Sequence, residues 1–500
     1  MSKLNNKLIL YIIGLLLLFN GGAMLITAGV SLVLNDGVFN DIVSSSIILI
    51  SFGLVLMFFN KNNIRQINKR DGYFIVTIGW LTMIFSGIFP YFLTDSITSF
   101  SNLIFESMSG YTATGSTIIS DIESLPKSII FWRSMTHWLG GMGIIVLAIA
   151  ILPLLGIGGM QLFSAESPGS GISGDKIHPR ISATAKRLWY IYVGLTFTET
   201  IALNFAGMSF FDAINHSMSN IATGGFSTKN DSLSYWNSIP QIQYIIIFFM
   251  ILAGTNYLLI YSAILGKFKK LFKNTEFIWY ISFIIVFVLI TTLVLFLNVD
   301  LKNTEFDHPE IFGKFESSFR HSFFQIVAII TTTGFVTGDF AGWTPFLTML
   351  FFGLMFLGAS SGSTSGGIKV SRHLILIKNG FLEFKKALHP NAVLPLRYNH
   401  SVVKKEVIVN ILAFFMLYLI LFIVGAGVLS TQGLDFTSAI GGSAASLGNI
   451  GPAIGSLGPS LNYGDLSGFA KLWCSFLMLV GRLELFTFLI IFTPYFWRKI

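Results

Sequence analysis

The sequence predicts an all-α polytopic membrane protein. Two N-terminal spans precede four parallel repeats, each an apolar span, a short polar loop segment and a second apolar span. Three observations carry this. First, the 500 residues are 53% hydrophobic and 11% charged, with mean hydropathy +0.72, whereas a soluble domain carries roughly 25% charged residues. Second, four glycine-and-hydroxyl stretches interrupt apolar sequence: Gly110-Tyr-Thr-Ala-Thr-Gly-Ser-Thr117, Ile221-Ala-Thr-Gly-Gly-Phe226, Ile330-Thr-Thr-Thr-Gly-Phe335 and the more divergent Leu447-Gly-Asn-Ile-Gly-Pro452. Aligning Gly115, Gly224, Gly334 and Gly451 gives spacings of 109, 110 and 117 residues. Third, 24 of the 32 basic residues fall in six clusters, at 3–7, 61–70, 176–187, 267–273, 369–405 and 498–499.

A membrane span needs about 20 apolar residues. The first two spans are expected near 8–34 and 43–60, before the basic loop 61–70. The first is too long for a signal-peptide core and lacks a clear small-residue cleavage site, so it reads as a retained span. The span pairs of the repeats are expected near 72–94 and 128–156, 186–206 and 240–266, 276–298 and 346–380, and 402–430 and 467–497. This divides the chain into 1–70, the additional spans, and repeats at 71–185, 186–274, 275–400 and 401–500.

The charge clusters set the topology. Each falls at the end of a span pair, and the segments holding the glycine loops are poor in Lys and Arg. Basic residues in short loops mark the cytoplasmic side. Every repeat therefore starts and ends in the cytoplasm, both termini are cytoplasmic, and every glycine loop is reached from outside. The same distribution argues against reading the net charge of +8 as nucleic-acid binding.

A segment too short to cross the membrane precedes each loop, at 98–109, 211–221, 317–330 and 436–446. A chain that enters as a half-span helix, turns at glycine and leaves on the same side is re-entrant. Irregular backbone is tolerated at membrane depth only where it lines a cavity or is buried in protein. Four such loops around one axis bring backbone carbonyls together that can replace a cation's water shell. Glycine permits positive φ and close backbone approach, and the half-helix C-termini add partial negative charge. Gly/Thr-rich helix packing is the plainer alternative. Asp95, Asp212, Glu316 and Asp435 precede or open the half-helices; they can cap them, at about 0.3–1 kcal/mol each, or form a cation-attracting vestibule.

These loops resemble the four selectivity-filter segments of the TrkH/KtrB/HKT superfamily of potassium transporters. His137-Trp-Leu-Gly-Gly-Met-Gly143, Gly362-Ser-Thr-Ser-Gly-Gly-Ile-Lys369 and Gly481-Arg-Leu-Glu484 are also similar to it, and the likeness runs from about residue 70 to the C-terminus. The two additional spans are similar to the TrkH branch. The resemblance implies four M1–pore helix–M2 units around a pseudo-fourfold pore, a homodimer in the cell membrane, and a TrkA-like cytoplasmic RCK subunit that binds nucleotide and controls opening. It implies potassium as the transported ion, with filter residues Thr112, Ala113, Thr114, Gly115; Ala222, Thr223, Gly224; Thr332, Thr333, Gly334; and Asn449, Ile450, Gly451. Serine at the first glycine position is similar to sodium-preferring plant members; this chain has Gly115. Two departures stand out: Asn449 replaces the Thr-x-Gly pattern, and Ala453 stands where a second glycine is expected after Pro452.

Gly358-Ala-Ser-Ser-Gly-Ser-Thr-Ser-Gly-Gly367 interrupts the span after the third loop. It resembles the family's intramembrane loop beneath the filter, which implies a gating role for Gly358, Gly362, Gly366 and Gly367; a plain helix break is the alternative. A phosphate-binding loop fails because Ile368 precedes Lys369. Arg482 lies in the last span, where a charge costs at least ~2.5 kcal/mol. It pairs with an acid on another helix, Glu106 or Glu199, or, by the resemblance, faces the pore below the filter and takes part in gating. His137 and His216 read as hydrogen-bonded packing residues, and the single Cys474 makes no intrachain disulfide. The spans hold no nucleophile, metal cluster or carboxylate pair that would suggest an enzyme, and no organic cofactor is expected. A secondary transporter commonly uses inverted repeats, which the charge pattern opposes. Such a transporter, or a sodium-conducting member of the same superfamily, is the alternative to potassium uptake.

Overall fold

Residues 8–35 contain no charged side chain, and they form one helix, α1 (Asn6–Leu34). Asn5 caps it by accepting from Leu8 N at 3.3 Å, and Asn35 ends it in the left-handed region, φ 50°. The next apolar run, α2 (Phe39–Asn60), folds back on it. The two meet at Gly14 and Gly53, where a Cβ on either would lie 2.7–2.8 Å from the other's carbonyl oxygen. Small residues let helices in lipid approach this closely. The computed structural model describes residues 4–61, 69–143, 181–304, 306, 308–399 and 401–498. The expected span end 144–156, most of the basic loop at 62–68, and the basic positions 3, 176, 180 and 499 lie outside the described residues.

At about the bounds expected for the four repeats, the first holds α3 (Lys69–Gly87), the half-helix α4 (Phe100–Tyr111) and α5 (Lys127–Gly141). Repeat 2 comprises α6 (Ile181–Phe205), half-helix α7 (Phe210–Ile221), α8 (Pro240–Ala253) and α9 (Tyr257–Ile264). Repeat 3 has α10 (Thr275–Asn298), half-helix α11 (Lys314–Ile330), α12 (Pro345–Leu354) and α13 (Val370–Leu388). A small antiparallel pair, β1 (Arg397–Tyr398) and β2 (Ser401–Val402), leads to repeat 4: α14 (Lys405–Thr431), half-helix α15 (Phe436–Gly448), α16 (Gly468–Arg482) and α17 (Phe486–Phe492). The half-helices have 12, 12, 17 and 13 residues. At about 1.5 Å per residue they reach about 18–26 Å, short of the roughly 30 Å hydrocarbon core.

Among the described residues, five helices are long and apolar enough to cross a membrane, or seven if each bent pair is one span. The expected continuous spans 240–266 and 467–497 are corrected here: they bend by 106° between α8 and α9, and by 107° between α16 and α17. Local residues explain the breaks. Asn256 starts a new helix by accepting from Leu258 N at 2.8 Å, while Glu484 and Leu485 take left-handed φ of 55° and 48°. The expected span 346–380 breaks across 355–369, around its glycine-rich stretch. The 25-residue α6 falls outside the most apolar set because it carries Glu199 and threonines at 196, 198 and 200.

The half-helices lie in the interior and the long spans around them. Residues 103–111 of α4 are all buried, whereas α14 buries only Ile411, Phe414, Tyr418, Gly425 and Leu429. Its remaining apolar surface suits lipid, which favours an apolar exterior. Asn20 on α1 is fully buried; it donates to Ser86 Oγ at 2.6 Å and accepts from Tyr111 OH at 2.6 Å, joining the N-terminal hairpin to repeat 1. At the half-helix N-termini, Asp435 caps α15 by accepting from Thr437 N and Ser438 N at 3.1 and 3.3 Å. Asp212 and Glu316 lie in the first turns of α7 and α11. Asp95 instead stands ahead of α4, whose N-cap is Ser99, and is itself left-handed, φ 53°.

Candidate functional site

The four half-helices end with the same backbone geometry. After the helix, one non-glycine residue takes a left-handed conformation: Ala113 (φ 52°), Thr223 (57°), Thr332 (55°) and Asn449 (54°). The next amide bonds back to the helix, Thr114 N to Ser109 O, Gly224 N to Ser219 O, Thr333 N to Ala328 O and Ile450 N to Ala445 O, at 2.8–2.9 Å. Each left-handed non-glycine residue costs about 1–2 kcal/mol, so these turns are held by their surroundings. The residue after the bonded amide is Gly115, Gly225, Gly334 or Gly451. This corrects the second loop's register: Gly225 (φ 83°), not Gly224, stands with Gly115 (85°) and Gly334 (75°). Gly224 is small for another reason, because a Cβ there would overlap the His137 ring.

The four glycines close a ring. A Cβ on Gly115 would overlap Gly224 O, and one on Gly225 would overlap Thr333 O. On Gly334 it would lie 2.8 Å from Gly451 N, and on Gly451 3.0 Å from the Gly115 carbonyl. The loops thus meet in the order one, two, three, four, one. Ser116 Oγ donates to Gly451 O at 2.9 Å, and Asn449 Nδ2 donates to Thr114 Oγ1 at 3.0 Å and Met478 O at 2.9 Å. The divergent Asn449 therefore keeps the shared turn and ties loop four to loop one. Ala453 needs no glycine: its φ is negative and its amide donates to Leu457 O at 2.9 Å. Loops one and three share a further feature, hydroxyl contacts of 2.7 Å between Thr112 and Thr114 and between Thr331 and Thr333.

The segment 355–369 lies against the inner ends of the half-helices. Its two ends join through Gly358 N to Ile368 O at 2.9 Å and Val370 N to Ala359 O at 3.1 Å, with Gly358 packed on Gly366 and Gly367. Gly362 and Gly367 need φ of 74° and 63°. Thr364 Oγ1 donates to Ile221 O at 3.0 Å, at the end of α7. Gly366 N donates to Thr332 Oγ1 at 2.6 Å in loop three, and a Cβ on Gly366 would lie 2.6 Å from Gly448 O at the end of α15. Arg482 reaches the remaining quadrant: Nη1 donates to Thr364 O at 2.8 Å and Nη2 to Gly140 O at 3.0 Å. Gly140 itself packs on Tyr111 O at the end of α4. The glycine segment and Arg482 together underlie all four loops.

Neither acid considered for Arg482 is its partner. Glu106 pairs with Arg133 at 2.9 Å, and Glu199 accepts from Asn220 at 2.6 Å. Glu484 pairs with Arg372, whose guanidinium sits 4.0 Å from the Phe414 ring centroid. His137 Nδ1 contacts Ser219 Oγ at 2.9 Å and stacks on Phe226 at 4.0 Å, while His216 contacts Asp212 O and Ser227 Oγ at 2.8 and 2.9 Å. The Glu106–Arg133 pair and the buried Glu276 escaped the sequence reading, although an ionisable residue inside an apolar segment is itself a signal. Glu276 accepts from Ser361 N at 2.6 Å and from Tyr398 OH at 3.2 Å, linking the glycine segment to the β1–β2 pair. Among the described residues, no group of three or more His, Cys, Asp or Glu could hold a metal ion. The ring is instead backbone and hydroxyl oxygen around the C-terminal, negative ends of four helices, a setting that suits a weakly held monovalent cation.

Comparison with known proteins agrees with this geometry. The family model described as TrkH, cation transport protein, matches residues 39–499. The chain is 39% identical over 490 residues to the Trk system potassium uptake protein TrkH of Salmonella typhimurium, covering 98% of each. It is 40% identical over 495 residues to the protein of the same name from Vibrio parahaemolyticus, covering 98% of this chain and 99% of that one. The crystal structure of the potassium transporter TrkH from Vibrio parahaemolyticus superimposes with a TM-score of 0.87 at 37% identity, covering 99% of this chain and all of that one. With its ring of four glycine loops and a match that runs almost end to end, this chain belongs to the TrkH family of cation transport proteins.

Proposed function

We propose that this chain is the ion-conducting membrane subunit of a Trk-type potassium uptake system. Potassium enters through the ring formed by 112–115, 222–225, 332–334 and 449–451. The observation that carries this is the glycine ring, each loop pressed on the next so closely that a Cβ would clash at Gly115, Gly225 and Gly334. In loops one to three left- and right-handed φ alternate, which sets carbonyls on one side of the strand and N–H groups on the other; carbonyls turned to the axis take the place of the ion's water. Entry follows the electrochemical gradient; an inside-negative potential contributes about 2.3 kcal/mol per charge per 100 mV. The chain lies in the cytoplasmic membrane with both termini inside, as its basic clusters favour, and forms a homodimer.

The glycine segment 358–367 and Arg482 act as the gate, controlled by a cytoplasmic RCK subunit that binds nucleotide. The basic segment 369–405, with α13 and the β1–β2 pair, is its docking surface. The function is tested with rubidium, potassium and sodium uptake into vesicles holding the purified chain. Rubidium and potassium should enter in preference to sodium; equal fluxes would assign the chain to unselective or sodium conduction. Charge reversal within 369–405 should abolish co-purification of the RCK subunit, and unchanged co-purification would move the docking site elsewhere.

A further inference from the structure

We propose that the buried Glu106–Arg133 pair is a positioning pair for ion selectivity, clamping the outer strand of loop one to that of loop two. The proposal rests on reading the four loops as the filter. Both side chains are removed from solvent, at 0% and 1% exposure, with Nε to Oε1 at 2.9 Å. The carboxylate also takes Thr117 Oγ1 at 3.0 Å and Ile118 N at 3.1 Å. These residues lie two and three positions after Gly115 along loop one. The guanidinium reaches both loops: Nη2 donates to Thr117 Oγ1 at 3.1 Å, and Nη1 to Ser227 O at 3.3 Å. Its central carbon lies 4.1 Å from the centroid of Phe226, the residue after Gly225. Phe226 stacks on His137, which fills the space beside Gly224. One pair of charges thus holds the exit of both glycine turns.

A stabilising role alone explains this pair poorly, because burying two charges is often no better than burying apolar side chains of the same volume. What it supplies is fixed geometry, since a fully hydrogen-bonded buried network defines one arrangement. The other buried polar groups near the half-helices act differently. Glu316 and Arg320 pair within α11, where Arg320 Nη1 bonds Gln243 and Asn237 O rather than a filter strand. Glu199 meets an amide, Asn220. The outer strands of loops two and three also take neutral contacts, His216 Nε2 to Ser227 Oγ at 2.9 Å and Gln325 Nε2 to Thr337 Oγ1 at 3.2 Å, so what sets the junction of loops one and two apart is a charged pair that reaches both strands. A ring that loosens there can close around a smaller ion, which erodes discrimination against sodium while conduction persists.

The test compares rubidium and sodium uptake by the full chain in vesicles, for the parent, Glu106→Gln and Thr117→Val. Glutamine keeps one acceptor and removes the charge. Valine leaves both charges paired and the Ile118 N bond in place, and removes the one hydroxyl that both charges share on loop one, so this variant decides the question if Glu106→Gln does not fold. Each should lower the rubidium-over-sodium preference about tenfold, the change produced by about 1.4 kcal/mol between the two ions. A variant that runs as a single species and keeps the parent's preference overturns the clamp. A parent that takes sodium as readily as rubidium overturns the filter reading itself, and the clamp with it.

Discussion

Substitution of Arg482 separates two ways in which the layer under the ring can stop an ion. The side chain carries a full positive charge and also ties the glycine segment down, through Thr364 O at 2.8 Å and Gly140 O at 3.0 Å. A unit charge about 4 Å from a passing cation, at an effective dielectric of about 20, raises its energy by roughly 4 kcal/mol. That is about a thousandfold in rate. The tether is of similar size, since hydrogen bonds from a charged donor contribute about 1.5–3 kcal/mol each. Arg482→Ala removes both. Arg482→Gln removes the charge and keeps a donor for one carbonyl. Arg482→Lys keeps the charge but loses the planar fork that reaches two carbonyls at once. Rubidium uptake into vesicles holding the chain without its partner should rise by about two to three orders of magnitude for Ala and Gln, and by no more than about tenfold for Lys. Removing several of residues 361–366 should act as Ala does. For the Arg482 substitutions the rubidium-over-sodium preference should stay unchanged, because no ring residue is altered, whereas the deletion also removes the Gly366 N bond to Thr332 in loop three. If Ala and Gln conduct no faster than the parent, the gate lies elsewhere and Arg482 is a structural link between α5 and the glycine segment. If Lys opens the path as far as Ala, the tether rather than the charge is the barrier.

Other perturbations test the ring and its connections. Gly225→Ala should abolish the potassium preference or the conduction itself, since its Cβ would overlap Thr333 O and its φ is 83°; rubidium and sodium uptake read it directly, and a variant indistinguishable from the parent removes Gly225 from the filter. Gly115→Ser should weaken the preference for the same reason, with a hydroxymethyl group directed at Gly224 O. Glu276→Gln loosens the bonds to Ser361 N and Tyr398 OH; a loss of about 1.4 kcal/mol from the closed state would raise basal uptake about tenfold, and Tyr398→Phe should move it in the same direction. Unchanged basal uptake in both variants would show that Glu276 does not restrain the glycine segment.

Much of the architecture was legible because the bilayer imposes lengths. Residues 8–34 match α1, and 276–298 match α10 almost to the residue. The half-helices were legible because each is a short apolar-and-small segment ending at glycine, and all four end within two residues of the expected position. The breaks at 254–256 and 483–485 were not, because hydropathy is continuous across them while the chain direction turns by 106° and 107°. Asn256 and Glu484 were the available signals. Each is a polar residue inside an apolar run, where unbroken helix would leave its side chain among hydrocarbon.

The backbone register of the loops was legible to one residue, and the reason for the miss lies in the neighbouring loop. Gly224 and Gly225 are indistinguishable as letters, and either completes a Thr-Gly pattern. What separates them is contact: Gly225 adopts positive φ against Thr333 O, and Gly224 makes room for His137. The same logic explains why Asn449 looked like a departure. Its left-handed φ of 54° matches Ala113, Thr223 and Thr332, and asparagine tolerates that conformation better than most residues. Four loops can therefore share one backbone while their supporting side chains diverge. Loop one is held by Glu106 and Arg133, loop three takes Gly366 N on Thr332, and loop four is held by Asn449. A ring assembled from unequal supports need not loosen evenly. The junction braced by buried charge should resist deformation most, while loop three, bonded directly to the glycine segment, should be the quadrant where a displacement of that segment first disturbs the ring.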